Sequence, residues 1–159
     1  MTPPPIQGGT SPSLAGLSAS DARRVHAQLG VLLQDLGRPL SRTARLMRTK
    51  AGWLPGLRSL LISDLYGADT GTEGTGDTLQ QRFLRLLAPL LAVWPEAAND
   101  PRVAGVAAQL STIAALEPAV RGGDDSATGQ ALGAAISVEL LLAELLQDLE
   151  ASHLAALSR

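Results

Sequence analysis

The chain has 159 residues, of which 45% are hydrophobic, and this is enough to build the core of one domain without disulfides or metals. It contains no cysteine, which excludes disulfides, thiol catalysis, zinc–thiolate sites and iron–sulfur clusters and agrees with a cytoplasmic protein. The net charge is −2, but residues 20–66 hold eight basic and three acidic side chains, whereas residues 67–159 hold five basic and twelve acidic ones.

The N-terminal residues have the composition of a disordered tail. Pro3-Pro4-Pro5, Gly8-Gly9 and Ser11-Pro12 stand among few apolar side chains, which bury too little surface to offset the entropy lost on ordering. No secretory signal pattern is visible there. We therefore expect disorder over residues 1–18 and a single helical domain over residues 19–159.

The first predicted helix begins after Ser20, a favourable N-cap, and carries an apolar stripe at steps of three and four residues. Gly37 and Pro39 predict its end. The stripe consists of Ala22, Val25, Leu29, Leu32 and Leu36.

Two shorter helices are predicted next. One runs from Arg42 to Ala51 with Ser41 as its N-cap, and the other begins at Pro55 and ends before Gly67. Four glycines in the following eleven residues predict a flexible loop over residues 67–77.

The second half of the chain predicts three further helices. Asp77 and Gln80 have the spacing of a capping box, and the helix behind them is predicted to kink at Pro89. Asp100-Pro101 combines a cap with a first-turn proline, and the last helix is predicted to begin near Asp125, after a turn at residues 122–123. The sequence thus predicts an all-α bundle of five to six helices.

The last helix has an unusually wide apolar face. Its central residues, Val138, Leu142, Leu145 and Leu149, follow the four–three–four spacing of a coiled-coil seam. Such a face predicts a helix that is either central in the bundle or partly buried by a second copy of the chain, and in the second case this seam is the candidate homodimer interface. Gly129 and Gly133 offer small surfaces on the same helix, for which packing inside the chain is the favoured interpretation over a subunit contact.

A basic segment over residues 38–58 has six positive charges and no acid. The favoured interpretation is a solvated face or internal pairing with Glu139, Glu144, Asp148 or Glu150. Guanidinium groups also bind phosphates, so contact with nucleic acid or another polyanion is the alternative, and association with a membrane surface is a third one. The residues concerned are Arg38, Arg42, Arg45, Arg48, Lys50 and Arg58.

The sequence contains no recognisable catalytic or cofactor motif. Glu150-x-x-His153 has the spacing of half a di-iron site, but the only other histidine, His26, has no glutamate three residues before it. The uncharged apolar stretches are shorter than the ~20 residues of a membrane span. We therefore expect a soluble, non-enzymatic interaction protein without cofactor or metal, which binds a protein partner and forms a homo-oligomer, with nucleic-acid binding as the alternative function.

Overall fold

The computed structural model describes residues 12–49, 59, 62, 63, 65, 66 and 78–157. Within these ranges the chain is helical apart from short connections, and no described residue lies in a strand, which confirms the all-α prediction. The elements are α1 (Pro12–Ala15), α2 (Ala19–Leu32), a π-helical turn (Leu33–Gly37), α3 (Arg38–Thr49), α4 (Leu79–Val93), a 3₁₀ turn (Pro95–Asn99), α5 (Pro101–Ala115), α6 (Glu117–Arg121), α7 (Asp125–Ser152) and α8 (Leu154–Leu157).

The long helix α7 is the central element of the bundle. It packs most extensively against α5 and α3, and it also contacts the π-helical turn and α2, while α4 covers α2 and α5. By length and composition α7 could cross a membrane, a property that the core helix of a soluble protein shares. The structure thus confirms a long helix at the C-terminal end of the predicted bundle.

The helix N-termini are fixed by side-chain caps. Ser18 Oγ accepts the amide N–H of Asp21, so α2 begins two residues earlier than expected. The capping box of α4 pairs Thr78 with Gln81, one residue beyond the predicted pair. Asp100 caps α5 and Pro101 occupies its first turn, as predicted.

The expected break between the first two helices is absent. The helical path continues from α2 through the π-helical turn into α3, where Pro39 lies in the first turn and its missing amide N–H is tolerated. The amide of Arg38 instead bonds to the carbonyl of Leu33, five residues back. Ser41, predicted as an N-cap, is a buried residue inside α3.

Gly37 has a packing role in place of the predicted stop. A Cβ at this position would lie 3.2 Å from Leu142 Cδ1 and 3.3 Å from Glu139 Cα. Absence of a side chain therefore lets the π-helical turn approach the backbone of α7 closely.

Part of the predicted disordered tail is ordered. Leu14, in α1, is fully buried, and its carbonyl oxygen lies 2.7 Å from His153 Nε2 at the end of α7. The tail prediction is wrong for residues 12–17, because the buried Leu14, the partly buried Leu17 and the contact with the His153 side chain anchor them. Residues 1–11 and the predicted loop over residues 67–77 lie outside the described residues.

The segment before that loop is described at five positions, residues 59, 62, 63, 65 and 66, all of them helical. Leu65 is buried there. The predicted start of this helix at Pro55 lies outside the described residues.

Candidate interaction surfaces

The predicted dimer seam lies in the core of the single chain. Val138, Leu145 and Leu149 are fully buried and Leu142 is 1% exposed. Helices α2, α3 and α5 surround this side of α7 and use its wide apolar face for packing within the chain. The prediction that these four side chains form a subunit interface is therefore corrected: they are core residues.

The opposite face of α7 is open as far as the described residues extend. Gly129 and Gly133 lie there, and no atom of the described part of the chain stands within 4 Å of where their Cβ atoms would be. The expected packing of α7 against the preceding long helix is present and buries the neighbouring Ala131 and Ala135, but the two glycines take no part in it. The close helix contact uses Gly105 instead, where a Cβ would lie 3.1 Å from Leu141 Cδ1.

The outward face, defined as Gly129, Gln130, Gly133, Ser137 and Leu140, has no charged residue. Leu140 is 54% exposed, although it stands in the middle of the core helix. The next exposed residue along the face is Glu144. An uncharged strip with a prominent leucine therefore runs along about 16 Å of helix surface, at 1.5 Å per residue.

Three residues of the basic segment form a second surface. Arg38, Arg42 and Arg45 are exposed on α3 at positions i, i+4 and i+7, so they form one stripe, the arginine stripe, along the helix. Within the described residues, no ion pair involves Arg38 or Arg42. The side chain of Arg48, and the residues Lys50 and Arg58, lie outside the described part of the chain.

Arg45 is held by the central helix. Its Nη2 lies 3.0 Å from Glu139 Oε1, and Ser41 Oγ donates to the same oxygen at 2.7 Å. The Arg45 side chain is nevertheless 53% exposed, against 22% for Glu139. Internal pairing, part of the favoured interpretation of the basic segment, thus applies to Arg45.

Two other acids of α7 pair elsewhere in the bundle. Asp148 Oδ2 lies 2.7 Å from Arg102 Nη2 on α5, and both side chains are nearly buried. Glu150 Oε2 lies 2.9 Å from His26 Nε2 on α2. These acids fasten α7 to two different helices.

The Glu150-x-x-His153 pair has structural partners. Glu150 contacts His26, whereas His153 contacts the Leu14 carbonyl, so the two side chains serve different connections. No group of three or more His, Cys, Asp or Glu side chains able to hold a metal is present among the residues that the structure describes. The pair therefore ties α1 and α2 to the end of α7.

Tyr66 anchors a small cavity that sequence reasoning missed. Its hydroxyl donates to the carbonyl of Ile113 at 2.7 Å, and the Arg121 guanidinium carbon lies 5.6 Å from its ring centroid. Arg121 in turn contacts Glu117 at 2.8 Å. Burial, followed by the nearby Glu117 carboxylate, raises the pKa of Tyr66 to about 12, while Arg121 acts in the opposite direction.

The cavity beside Tyr66 has a volume of about 70 Å³. Its lining includes Leu65, Leu79, Leu110 and Ala114. This is room for about two water molecules, at about 30 Å³ each, and well below the roughly 300 Å³ of a small-molecule pocket. The cavity is therefore too small for a typical small-molecule ligand.

Comparison with known proteins provides no relative for this architecture. No family model matches the sequence, and no curated protein or solved structure is significantly similar to the chain. Functional inference therefore rests on the surfaces described above.

Proposed function

We propose that the protein is a non-enzymatic helical interaction protein that acts through protein–protein contacts and forms a homodimer. The observation that carries this proposal is the uncharged outward face of α7 with Leu140 exposed at its C-terminal end. The buried centres of protein interfaces are depleted in charged residues, and this face has the same property. Leu140 would supply the apolar anchor.

The outward face is complementary to itself. Gly133 and Leu140 are seven residues apart, almost two full turns, so they project from nearly the same side of α7. In an antiparallel pair of α7 helices with a two-fold axis near Ser137, Leu140 of each copy would lie over Gly133 of the other. The open space at Gly133 can accept such a side chain, and the contact would repeat identically in both directions, as a two-fold interface requires.

The test is the mass of the purified protein at micromolar concentration, measured by light scattering during gel filtration. We expect twice the chain mass of 16.4 kDa. Leu140→Glu would place a charge in the interface and return the mass to that of one chain. Leu84→Glu is the matched control, because Leu84 is 62% exposed on α4, and this variant should remain dimeric. A wild-type protein with the mass of one chain would contradict the homodimer.

We also propose that the protein is soluble and cytoplasmic, with α7 as a core helix. Support comes from Glu139, Asp148 and Glu150, which pair with side chains of three other helices. A helix that spans a membrane would have to lose these pairs or carry them into lipid at considerable cost. Recovery in the soluble fraction without detergent is the expected result, and recovery only with detergent would contradict it.

A further inference from the structure

The arginine stripe of α3 is not used by the proposed dimer. Arg38, Arg42 and Arg45 are exposed, and they continue a basic segment that has no acid between Asp35 and Asp64. Arg38 and Arg45 are separated by about 10.5 Å along the helix axis. A duplex carries one phosphate charge per about 3.4 Å of its axis on each strand, so a stripe of this length faces a dense row of negative charge.

The opposite face of α3 argues against membrane association, one of the alternatives for this segment. Leu40 and Ala44 on α3, and Leu36 in the π-helical turn before it, are buried against the bundle, at 2% exposure or less. Helices that lie on membranes insert an apolar face into the lipid, and here that face is committed to the core. Among the described side chains of α3, those that are exposed therefore all carry guanidinium groups.

We propose that the arginine stripe binds the phosphate backbone of a nucleic-acid duplex, independently of base sequence. Guanidinium groups donate paired hydrogen bonds to phosphate oxygens, and each neutralised phosphate releases condensed counterions. Single strands are usually held by stacking on aromatic side chains, and α3 contains no aromatic residue. The chemistry of the stripe thus fits a duplex backbone.

Glu139 affects the charge and the geometry of the arginine stripe. Its carboxylate accepts from both Arg45 and Ser41, so it positions the Arg45 guanidinium and also partly neutralises it. Glutamine at position 139 retains an acceptor oxygen but removes the negative charge. Glu139→Gln should therefore strengthen duplex binding.

The experiment measures fluorescence anisotropy of a labelled 20-base-pair DNA duplex at 50 and 200 mM salt. Three phosphate contacts contribute about −2.7 to the slope of log affinity against log salt, which is about a 40-fold loss of affinity between these concentrations. The variant Arg38→Gln, Arg42→Gln, Arg45→Gln should lose affinity at 50 mM salt and have a slope shallower by about 2.7. The matched control is Arg23→Gln, Arg24→Gln, Arg85→Gln, which removes three exposed arginines of other helices and should bind nearly as the wild type does.

Several outcomes would overturn the proposal. They are no binding at 50 mM salt, equal loss in both triple variants while circular dichroism shows them folded, and tighter binding to anionic lipid vesicles or to single-stranded DNA than to the duplex. If Glu139→Gln bound the duplex more weakly than the wild type, Arg45 would not belong to the binding surface. The Leu140→Glu variant should keep the difference between the two triple sets, which makes this test independent of the proposed dimer.

Discussion

Tyr66 is the residue whose titration can be followed without interference. It is the only tyrosine, and the chain has no cysteine, so the ultraviolet absorbance of the phenolate reports this one group. Because the ring is partly buried beside Glu117, its pKa is raised from 10.0 to about 12. We expect a titration midpoint near 12 in the folded protein and near 10 in denaturant, by spectrophotometric titration. A folded-state midpoint near 10 would contradict the described environment.

The same shift has a consequence for stability. The folded pKa of Tyr66 is raised above the unfolded value, so its protonated form is favoured by folding. The contribution is fully present below pH 10 and is lost as the pH rises toward 12. We expect the free energy of unfolding to decrease from pH 8 to pH 11, and to decrease less for Tyr66→Phe than for the wild type. Denaturant unfolding at the two pH values measures this difference.

Asp148 belongs to a nearly buried ion pair with Arg102. Its side chain is 8% exposed and that of Arg102 is 12% exposed. Without the Asp148 charge, Arg102 loses its closer ionic partner and keeps the more distant contact with Asp100 at 3.5 Å, so Asp148→Asn should lower the unfolding free energy by about 1–3 kcal/mol. The isosteric control is Glu117→Gln in the half-exposed pair with Arg121, which should cost less than about 1 kcal/mol. If the two substitutions lowered the free energy of unfolding in urea equally, this would contradict the difference in burial between the two ion pairs.

Residues that act locally could be predicted, whereas residues with distant partners could not. The cap at Asp100 was predicted because its acceptor and the amide of Arg102 are two positions apart. Tyr66 and Ile113 are 47 positions apart, and nothing in either neighbourhood indicates the other. Sequence periodicity contains no information on such a contact.

At the scale of elements, the junction of α2 and α3 shows tertiary packing overriding a local signal. Gly37 and Pro39 predicted a break, since glycine commonly ends helices and proline cannot continue one. The π-helical turn changes the hydrogen-bond register. Its close contact with α7 stabilises the continuous helical path. Glycine at position 37 is therefore explained by the lack of room for a side chain beside α7, and not by its backbone conformation.

Two glycine variants separate these explanations. Gly37→Ala places a Cβ 3.2 Å from Leu142 Cδ1, and overpacking of this kind should lower the unfolding free energy by about 1–3 kcal/mol. At Gly30 of α2, no described atom lies within 4 Å of the added Cβ, so Gly30→Ala should raise stability by about 0.5–1 kcal/mol. Chemical denaturation measures both. Stabilisation by Gly37→Ala would contradict the close approach to α7.

At the scale of the whole molecule, the fold class could be predicted but the use of each surface could not. The apolar stripes predicted helices and a central C-terminal helix, and both predictions are confirmed. The four–three–four spacing of the seam, Val138, Leu142, Leu145 and Leu149, is the same whether the neighbouring helix belongs to the same chain or to a second copy. Only the spatial arrangement of α3 and α5 assigns the seam to the core and leaves the outward face open.

The absence of cysteine allows a direct test of the antiparallel pairing of α7, because an introduced thiol has no competitor. Ser137 lies near the proposed two-fold axis, so Ser137→Cys should bring two thiols within disulfide distance, about 4 Å between Cβ atoms. We expect mild oxidation to convert this variant to a covalent dimer on a non-reducing gel, and to leave the control Leu84→Cys as a single chain. A Ser137→Cys variant that stays a single chain, or that links no faster than Leu84→Cys, would contradict a dimer formed through the outward face.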